Sequence, residues 1–128
     1  MTYLLDTHVF LWLIREPEML PARVRDIAAD RAVTLLLSAV TPWEIAIKAT
    51  AGKLDAAELL DDFEVTTARA GYDILETTLR QVIRGARLPL HHKDPFDRLL
   101  AAQALDLRIP LISRDEIFDL YGVKRISA

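Results

Sequence analysis

Short runs of consecutive apolar residues alternate along the chain with longer segments in which apolar residues recur every three or four positions. The short runs predict buried strands, because a strand covered on both faces of a parallel sheet is apolar along almost its whole length. The longer segments predict helices, whose apolar stripe repeats with the helical period. Strands are predicted at residues 3–5, 33–37, 72–75 and 111–113, with a further edge strand at 123–126.

Helices are predicted between these strands, at residues 8–15, 21–31, 41–51, 56–70, 78–86, 95–107 and 116–121. Strands that alternate with helices predict an α/β fold, in which a parallel sheet carries helices on both faces. A length of 128 residues fits one domain, which we expect to span residues 1–128. Ligands of such sheets bind beyond the carboxyl ends of the strands, so the residues that follow each strand are the candidates for a site.

Acidic residues follow three of the predicted strands and open a helix that should pack beside them. Asp6 follows the first strand, Glu44 lies a few residues past the second, Asp115 follows the fourth, and Asp94 and Asp97 begin the next-to-last helix. Parallel strands bring these positions to one edge of the sheet, where the carboxylates would repel one another and raise their own pKa values. A divalent cation can neutralise such a cluster, and oxygen ligands favour Mg²⁺ or Mn²⁺ over zinc.

Helix capping is the alternative explanation of each acid taken alone. In residues 41–44, Thr-Pro-Trp-Glu, the threonine is placed to cap a helix and the glutamate to return a hydrogen bond to the cap. Residues 94–97, Asp-Pro-Phe-Asp, have the same form, with the first aspartate as the cap. Asp6 and Asp115 can likewise be ordinary caps where a strand turns into a helix. The functional interpretation therefore rests on the coincidence of all these acids at one edge of one sheet.

Composition narrows the possible chemistry. The chain contains no cysteine, which excludes disulfides, thiolate metal sites and a cysteine nucleophile. Its net charge of -3 argues against a passive nucleic-acid coat, which would be basic, but allows an enzyme that gathers acids in one site. No apolar run approaches the roughly 20 residues of a membrane span, and no basic leader precedes the first strand. We therefore expect a cytoplasmic protein without membrane association.

Other hydrolytic sites find little support in the sequence. It has neither a GxSxG nucleophile motif nor a phosphate-binding P-loop. His8, His91 and His92 are too few and too unevenly spaced for a zinc site. We expect His8 to be structural and His92 either to contact a substrate or to pack its loop. A phosphatase with Asp6 as nucleophile is a further alternative, but the partner acid usually found two residues on is a histidine here.

The sequence resembles the PIN-domain family and, within it, the VapC-type toxins of bacterial toxin–antitoxin pairs. The resemblance covers nearly the whole chain and rests on an ordered set of four blocks. These are Leu4-Leu5-Asp6-Thr7-His8 with Leu11-Trp12, Ser38-Ala39-Val40-x-x-Trp43-Glu44-Ile45-x-Ile47-Lys48 with Gly52-Lys53-Leu54, His92-x-Asp94-Pro95-Phe96-Asp97-Arg98-Leu99-Leu100 with Ala102-Gln103-Ala104, and Ser113-x-Asp115 with Tyr121-Gly122-Val123. Each block alone is moderately specific, whereas the ordered set is specific.

The resemblance implies a three-layer α/β/α PIN-like fold with a central, mostly parallel sheet of four to five strands. It also implies a magnesium- or manganese-dependent endoribonuclease that hydrolyses RNA phosphodiester bonds with metal-activated water. The family's catalytic and metal-binding acids fall on Asp6, Glu44, Asp97 and Asp115. Asp94 then caps its helix and contacts the site at most through water, while Asp119 competes with Asp115 as the last acid. A catalytically inactive PIN-like interaction module is the alternative.

Further residues are secondary candidates. Thr7 can hydrogen-bond Asp6 or a metal-bound water, or it can cap the following helix. Arg98 can touch the scissile phosphate or pair with a neighbouring carboxylate. The RNA-binding candidates belong to one basic stretch and are Arg80, Arg84, Arg87 and Lys93.

The resemblance also implies protein partners, namely a cognate antitoxin and a second copy of the chain in a homodimer. Residues 9–14 form a helical segment that is apolar on every side, so we expect part of it to face a partner and the rest to fill the core. Together with Trp43, Ile45 and Ile47, this segment is the candidate groove for an antitoxin segment.

Overall fold

The computed structural model describes residues 1–128 and centres on a five-stranded sheet. The strands are β1 (Thr2–Leu5), β2 (Thr34–Ser38), β3 (Tyr72–Leu75), β4 (Leu111–Ser113) and β5 (Arg125–Ser127). Their order in the sheet is β3-β2-β1-β4-β5, and every neighbouring pair is parallel. The predicted parallel sheet is therefore confirmed, with β3 and β4 at the predicted residues.

Six α-helices connect the strands. They are α1 (Thr7–Arg15), α2 (Ala22–Ala29), α3 (Val40–Thr50), α4 (Phe63–Arg69), α5 (Leu79–Arg87) and α6 (Pro95–Leu107). Short 3₁₀ helices occupy Pro17–Met19, Ala57–Leu60 and Glu116–Tyr121. None of the helices is both long enough and apolar enough to cross a membrane.

Alternate side chains of the central strand separate the core into two layers. Tyr3 and Leu5 of β1 pack with buried residues of α1 and α2, including Phe10 and Val24. Leu4, between them, packs on the other face with buried residues of α6. Because a strand points successive side chains to opposite faces, the apolar run of β1 serves both layers. The three-layer α/β/α fold that the resemblance implied is confirmed.

The segment predicted as one helix at 56–70 is divided in the structure. Between the 3₁₀ turn at Ala57–Leu60 and α4, Asp62 adopts a left-handed backbone conformation with φ of 50°. Aspartate is one of the few residues with a side chain that enters this region at modest cost, so it permits the break.

Helix α3 begins earlier than predicted, and Thr41 is not its cap. The backbone N–H of Val40 donates to the Ser38 hydroxyl at 3.0 Å, and the helix starts at Val40 with no side-chain cap. Thr41 therefore lies in the first turn, fully buried, and the capping box predicted for Glu44 does not form. The local pattern was misleading because the serine at the end of β2 turns the chain before the threonine is reached.

Helix α6 begins as predicted. The carboxylate of Asp94 accepts a hydrogen bond from the backbone N–H of Phe96 at 2.8 Å, and Pro95 occupies the first helical position. Asp97 follows in the first turn without joining the cap. Asp94 therefore caps the helix, whereas the carboxyl group of Asp97 is available for other contacts.

A chain of buried side-chain hydrogen bonds joins the end of β2 to α6 and α5. The Ser38 hydroxyl donates to Oε1 of Gln103 at 2.5 Å, and Nε2 of Gln103 donates to Oε1 of Gln81 at 3.1 Å. The chain continues from Nε2 of Gln81 to Asp106 at 3.2 Å. Both glutamine side chains are almost completely buried, and every buried side-chain polar atom in the structure has a partner.

Candidate active site

The predicted acids meet at the carboxyl ends of β1, β2 and β4, which are neighbours in the sheet. The chain leaves β1 toward β2 on one side, while β4 lies on the other, so this edge is the switch point at which α/β sheets bind ligands. A cavity of about 430 Å³ opens there. Its lining residues are Asp6, Glu44, Asp94, Asp97, Asp115, His8, Trp12, Lys48, His92 and Arg114.

Asp6 lies directly after β1 and is held by β4. The Ser113 hydroxyl donates to Oδ2 of Asp6 at 2.6 Å, and Asp6 makes no side-chain cap to α1. Burial raises the pKa of Asp6, and the charge of Glu44 raises it further, while the Ser113 hydrogen bond works in the opposite direction. Asp6 is therefore a carboxylate that would gain from a cation beside it.

Glu44 is brought to the cavity by the first turns of α3. Its Oε1 accepts a hydrogen bond from the Thr7 hydroxyl at 2.7 Å, and Thr7 also lies 3.2 Å from the hydroxyl of Thr41. Its Oε2 accepts from the ammonium of Lys48, one helical turn further on. Thr7 thus contacts Glu44, rather than Asp6 or the end of its own helix, and fixes one oxygen of that carboxylate.

Lys48 partly neutralises the acids on this side of the cavity. Besides Glu44, it lies 3.8 Å from Oδ2 of Asp94. Burial alone would lower the pKa of Lys48, but the hydrogen bond and charge of Glu44 and the charges of Asp94 and Asp97 outweigh it and raise the pKa. The ammonium is therefore charged where it faces the carboxylates.

The ionisation of Asp97 is strongly perturbed. Burial raises the pKa of Asp97 to about 8, and the charges of Asp6, Asp94, Glu44 and Asp115 contribute to the rise. A carboxyl group with so high a pKa reports an excess of negative charge with too little water to screen it. The oxygen-rich lining and this unrelieved repulsion together fit a divalent cation such as Mg²⁺ or Mn²⁺.

His92 lies between Asp97 and Asp115. Its Nε2 is 2.9 Å from Oδ2 of each aspartate, and its Nδ1 accepts a hydrogen bond from the backbone N–H of Asp94 at 3.2 Å. Because Nδ1 accepts, it carries no hydrogen, and Nε2 is the protonated nitrogen of a neutral ring. These three residues could surround a metal ion, since their ligand atoms lie within 4.8 Å of one another. In the arrangement seen, however, the N–H of His92 hydrogen-bonds Oδ2 of Asp115, and Nε2 therefore offers no lone pair to a cation.

Asp115, rather than Asp119, reaches the cavity. One oxygen of Asp115 caps the 3₁₀ helix at the N–H of Ile117, and the other faces His92. Asp119 is exposed and pairs with Arg125 through both carboxylate oxygens, at 3.0 and 3.1 Å. The arginine lowers the pKa of Asp119, as expected for a carboxylate in an ion pair outside the site.

Arg98 contacts neither a carboxylate nor the cavity. Its guanidinium donates to the backbone carbonyls of Ala86, Leu88, Pro89 and His92, at 2.7 to 3.3 Å. It also lies 3.4 Å from the Tyr121 hydroxyl, which in turn accepts the backbone N–H of His92. Instead of the predicted contact with a phosphate or a carboxylate, Arg98 makes these hydrogen bonds to the main chain, which hold the loop that carries His92.

The basic stretch is not part of the cavity wall. Arg80, Arg84 and Arg87 line a separate concave surface on α5, and Arg80 pairs with Asp106 at 3.3 Å. Lys93 is exposed in the loop before α6 and makes no ion pair. The structure therefore brings together the four acids and Asp94, and leaves these cations outside the group.

Four contributors escaped prediction: Lys48, Ser113, Arg114 and the donor role of His92. Lys48 carries a readable signal, because it stands four residues after Glu44 on one helix. The others depend on contacts between distant segments, such as Ser113 with Asp6, and no local spacing reveals them. His8, expected to be structural, is exposed and lines the cavity.

Comparisons with known proteins agree with this architecture. The family model described as PIN domain matches residues 3–124, and no curated protein matches the sequence. A chain of VapBC2 from Rickettsia felis, bound to a DNA fragment from its promoter, has a TM-score of 0.70 and 14% identity, covering 99% of this chain and 98% of that one. DNA-bound VapBC from Salmonella typhimurium gives a TM-score of 0.69 and 16% identity, with coverage of 99% and 98%. VapBC-5 from Mycobacterium tuberculosis, a member of the VapBC family of toxin–antitoxin systems, gives a TM-score of 0.58 and 19% identity, with coverage of 99% of this chain and 98% of that one. At these identities the likeness shows the shared fold.

Proposed function

The chain belongs to the PIN-domain family, and from this premise we propose that it is a Mg²⁺- or Mn²⁺-dependent endoribonuclease that acts as the toxin of a toxin–antitoxin pair. One observation carries the proposal: acids from four separate segments line one cavity at the switch point of the sheet. Helix caps need no such convergence, and they leave the repulsion around Asp97 unexplained.

Asp6, Glu44, Asp97 and Asp115 would hold the cation. When bound, it would supply the charge that polarises the scissile phosphate and the activation of the attacking water. The protein's contribution is to orient the ligands: Ser113 fixes one oxygen of Asp6, and Thr7 fixes one oxygen of Glu44. Asp94 remains a helix cap whose charge adds to the negative field of the cavity.

A catalytically inactive interaction module is the second candidate, and Lys48 is the observation in its favour. Its ammonium already pairs with Glu44 and approaches Asp94, so part of the acidic charge is satisfied without a metal ion. Lys48 neutralises only one side of the cavity, however, and Asp97 keeps its high pKa despite it. The nuclease is therefore the proposal that accounts for more of the site.

We also propose the partners that the resemblance implies. The VapBC structures are of toxin–antitoxin systems, and by analogy an antitoxin protein would silence this chain, which would act in the cytoplasm. The candidate groove for it is smaller than expected: Ile45 is fully buried, as are Val9, Phe10 and Leu11. Trp43, Ile47 and Ile14 remain, 50%, 49% and 38% exposed, as apolar surface for an antitoxin or for a second copy in a homodimer. Arg80, Arg84, Arg87 and Lys93 would bind RNA backbone away from the cut.

Cleavage of single-stranded RNA by the purified chain, with and without Mg²⁺ or Mn²⁺, tests the proposal. Asp6→Asn, Glu44→Gln and Asp97→Asn should each abolish metal-dependent cleavage and relieve growth arrest on expression, while circular dichroism shows a folded protein. Asp119→Asn is the matched control, because Asp119 is an exposed acid outside the cavity. If the wild-type chain cuts no RNA with either metal, or if the three variants cut as well as wild type, the nuclease proposal is wrong.

A further inference from the structure

One wall of the cavity carries no carboxylate. It is formed by His8 and Trp12 of α1 and by Arg114, which stands between Ser113 and Asp115 at the end of β4. This wall begins two residues from Asp6, so whatever touches it also lies beside the acids. Trp12 is the one apolar side chain in the lining of the cavity.

Arg114 is fixed in orientation but makes no ion pair with an acidic side chain. Its Cζ lies 4.2 Å from the centre of the Trp12 ring, its Nε donates to the main-chain oxygen of Ala128 at 2.9 Å, and its Nη2 donates to the carbonyl of Met19 at 2.8 Å. Its Nη1 makes no hydrogen bond with the protein, and no Asp or Glu carboxylate lies within 4.0 Å of the guanidinium. Lys48, by contrast, is already engaged by Glu44 and Asp94.

His8 and Trp12 form an aromatic pair one helical turn apart. Their ring centres are 5.8 Å from each other, with the planes tilted by 46°. His8 is exposed, and Trp12 is half-buried with Arg114 stacked on it. Proteins stack unpaired bases on the flat faces of aromatic and guanidinium groups, and the charged guanidinium also binds the phosphate between two bases.

We propose that His8, Trp12 and Arg114 form a nucleotide-binding wall for single-stranded RNA. The base next to the scissile phosphate stacks on this wall, and Nη1 of Arg114 contacts a backbone phosphate. This inference rests on the proposed ribonuclease function, and it assigns substrate contacts to residues that line the cavity, which the arginines of α5 do not. A duplex, whose bases are already stacked, would not fit the same wall.

Fluorescence of Trp12 tests the wall directly. In the full chain carrying Asp97→Asn to prevent cutting and Trp43→Phe to leave one tryptophan, a short single-stranded oligoribonucleotide should quench the fluorescence and saturate, whereas the same sequence as a duplex should not. Trp12→Ala should weaken binding, measured by anisotropy of a labelled oligonucleotide, by about 5- to 100-fold, and Trp12→Phe should keep most of the affinity.

Arg114→Ala should weaken binding and reduce the magnitude of the slope of log affinity against log salt by about 0.7, the effect of one phosphate contact on a single strand. Arg31→Ala is the control, because Arg31 is exposed and precedes β2, at the opposite edge of the sheet. If RNA binds without quenching Trp12, or if Trp12→Ala and Arg114→Ala bind RNA like the control, the wall is not a nucleotide site. That result differs from failure of the proposed function, in which wild-type protein cuts no RNA whatever these variants bind.

Discussion

Replacing Asp97 with asparagine should stabilise the metal-free protein. Its pKa is raised from 3.8 to about 8 in the folded state, so at neutral pH the folded chain must keep a proton that the unfolded chain releases. The stability contribution of Asp97 is therefore fully present below pH 3.8 and is lost as the pH rises to about 8. Asparagine has nearly the same shape and no charge, so it removes the loss.

The size of the effect follows from the same pKa. One pH unit between the two pKa values costs about 1.4 kcal/mol, so the roughly three units between 3.8 and pH 7 amount to about 4 kcal/mol. The N–H of His92 faces Asp97 and favours its charged form, which reduces this figure. We therefore expect Asp97→Asn to raise the free energy of unfolding by about 2 to 4 kcal/mol at pH 7.

Urea unfolding in the presence of a chelator, followed by circular dichroism at several values between pH 5 and 9, measures the gain. It should grow by up to about 1.4 kcal/mol per pH unit and level off above pH 8. Asp119→Asn is the control of opposite sign: its pKa is lowered by Arg125, so its removal should cost stability at neutral pH. An Asp97→Asn variant that is no more stable than wild type, or whose gain is the same at every pH, would refute the reasoning.

Three further expectations concern the surroundings of the acids. Mn²⁺ or Mg²⁺ should raise the melting temperature of wild type, by an amount equivalent to about 2.7 kcal/mol at a hundred times the dissociation constant, and the shift should shrink in Asp6→Asn; calorimetry without any shift in wild type would argue against the metal site. Lys48→Met should lower the free energy of metal-free unfolding by about 1 to 3 kcal/mol, since it leaves the buried Glu44 carboxylate unpaired. Because the Lys48 ammonium and a metal ion would compete for this carboxylate, metal should stabilise the variant more than wild type. A smaller metal effect in thermal melts of the variant would contradict this competition. Arg98→Lys should loosen the loop at residues 86–92, because lysine cannot span its carbonyls; limited proteolysis there should be faster than in wild type while the far-UV spectrum is unchanged, and equal cleavage rates would show that other contacts hold the loop.

The sequence predicted β1, β2 and β4 well because these strands are short and almost continuously apolar, as strands covered on both faces of a parallel sheet are. Helix α6 was predicted to the residue, since Asp94 and Pro95 form a cap that acts locally. The cap at Thr41 was predicted by the same rule and is absent, because Ser38 turns the chain and the helix begins at Val40, one residue before the pattern. Local capping rules succeed where nothing from outside the segment competes.

In the candidate site, too, some features could be predicted from the sequence and others depend on contacts between distant segments. Parallel topology alone was enough to bring Asp6, Glu44 and Asp115 to one edge, so the acids could be anticipated from strand ends. The direction of a long side chain could not be anticipated in this way, and Arg98 turns toward backbone carbonyls instead of the acids. The position of His92 depends on the loop that this arginine fastens, and no spacing in the sequence encodes it.

The buried amide of Gln103 sets the rotation of α6 about its own axis. Each residue of a helix advances the side-chain direction by roughly 100°, so a helix that slid by one residue would turn Asp97 away from the cavity while still presenting apolar residues to the sheet. Apolar packing alone tolerates such slips, whereas the hydrogen bonds of Gln103 to Ser38 and Gln81 are satisfied in one orientation. An apolar substitute at this position would remove this constraint and would leave the buried Ser38 hydroxyl and Gln81 amide without their partner. Gln103 therefore orients the helix so that Asp97, six residues earlier in the chain, faces the cavity.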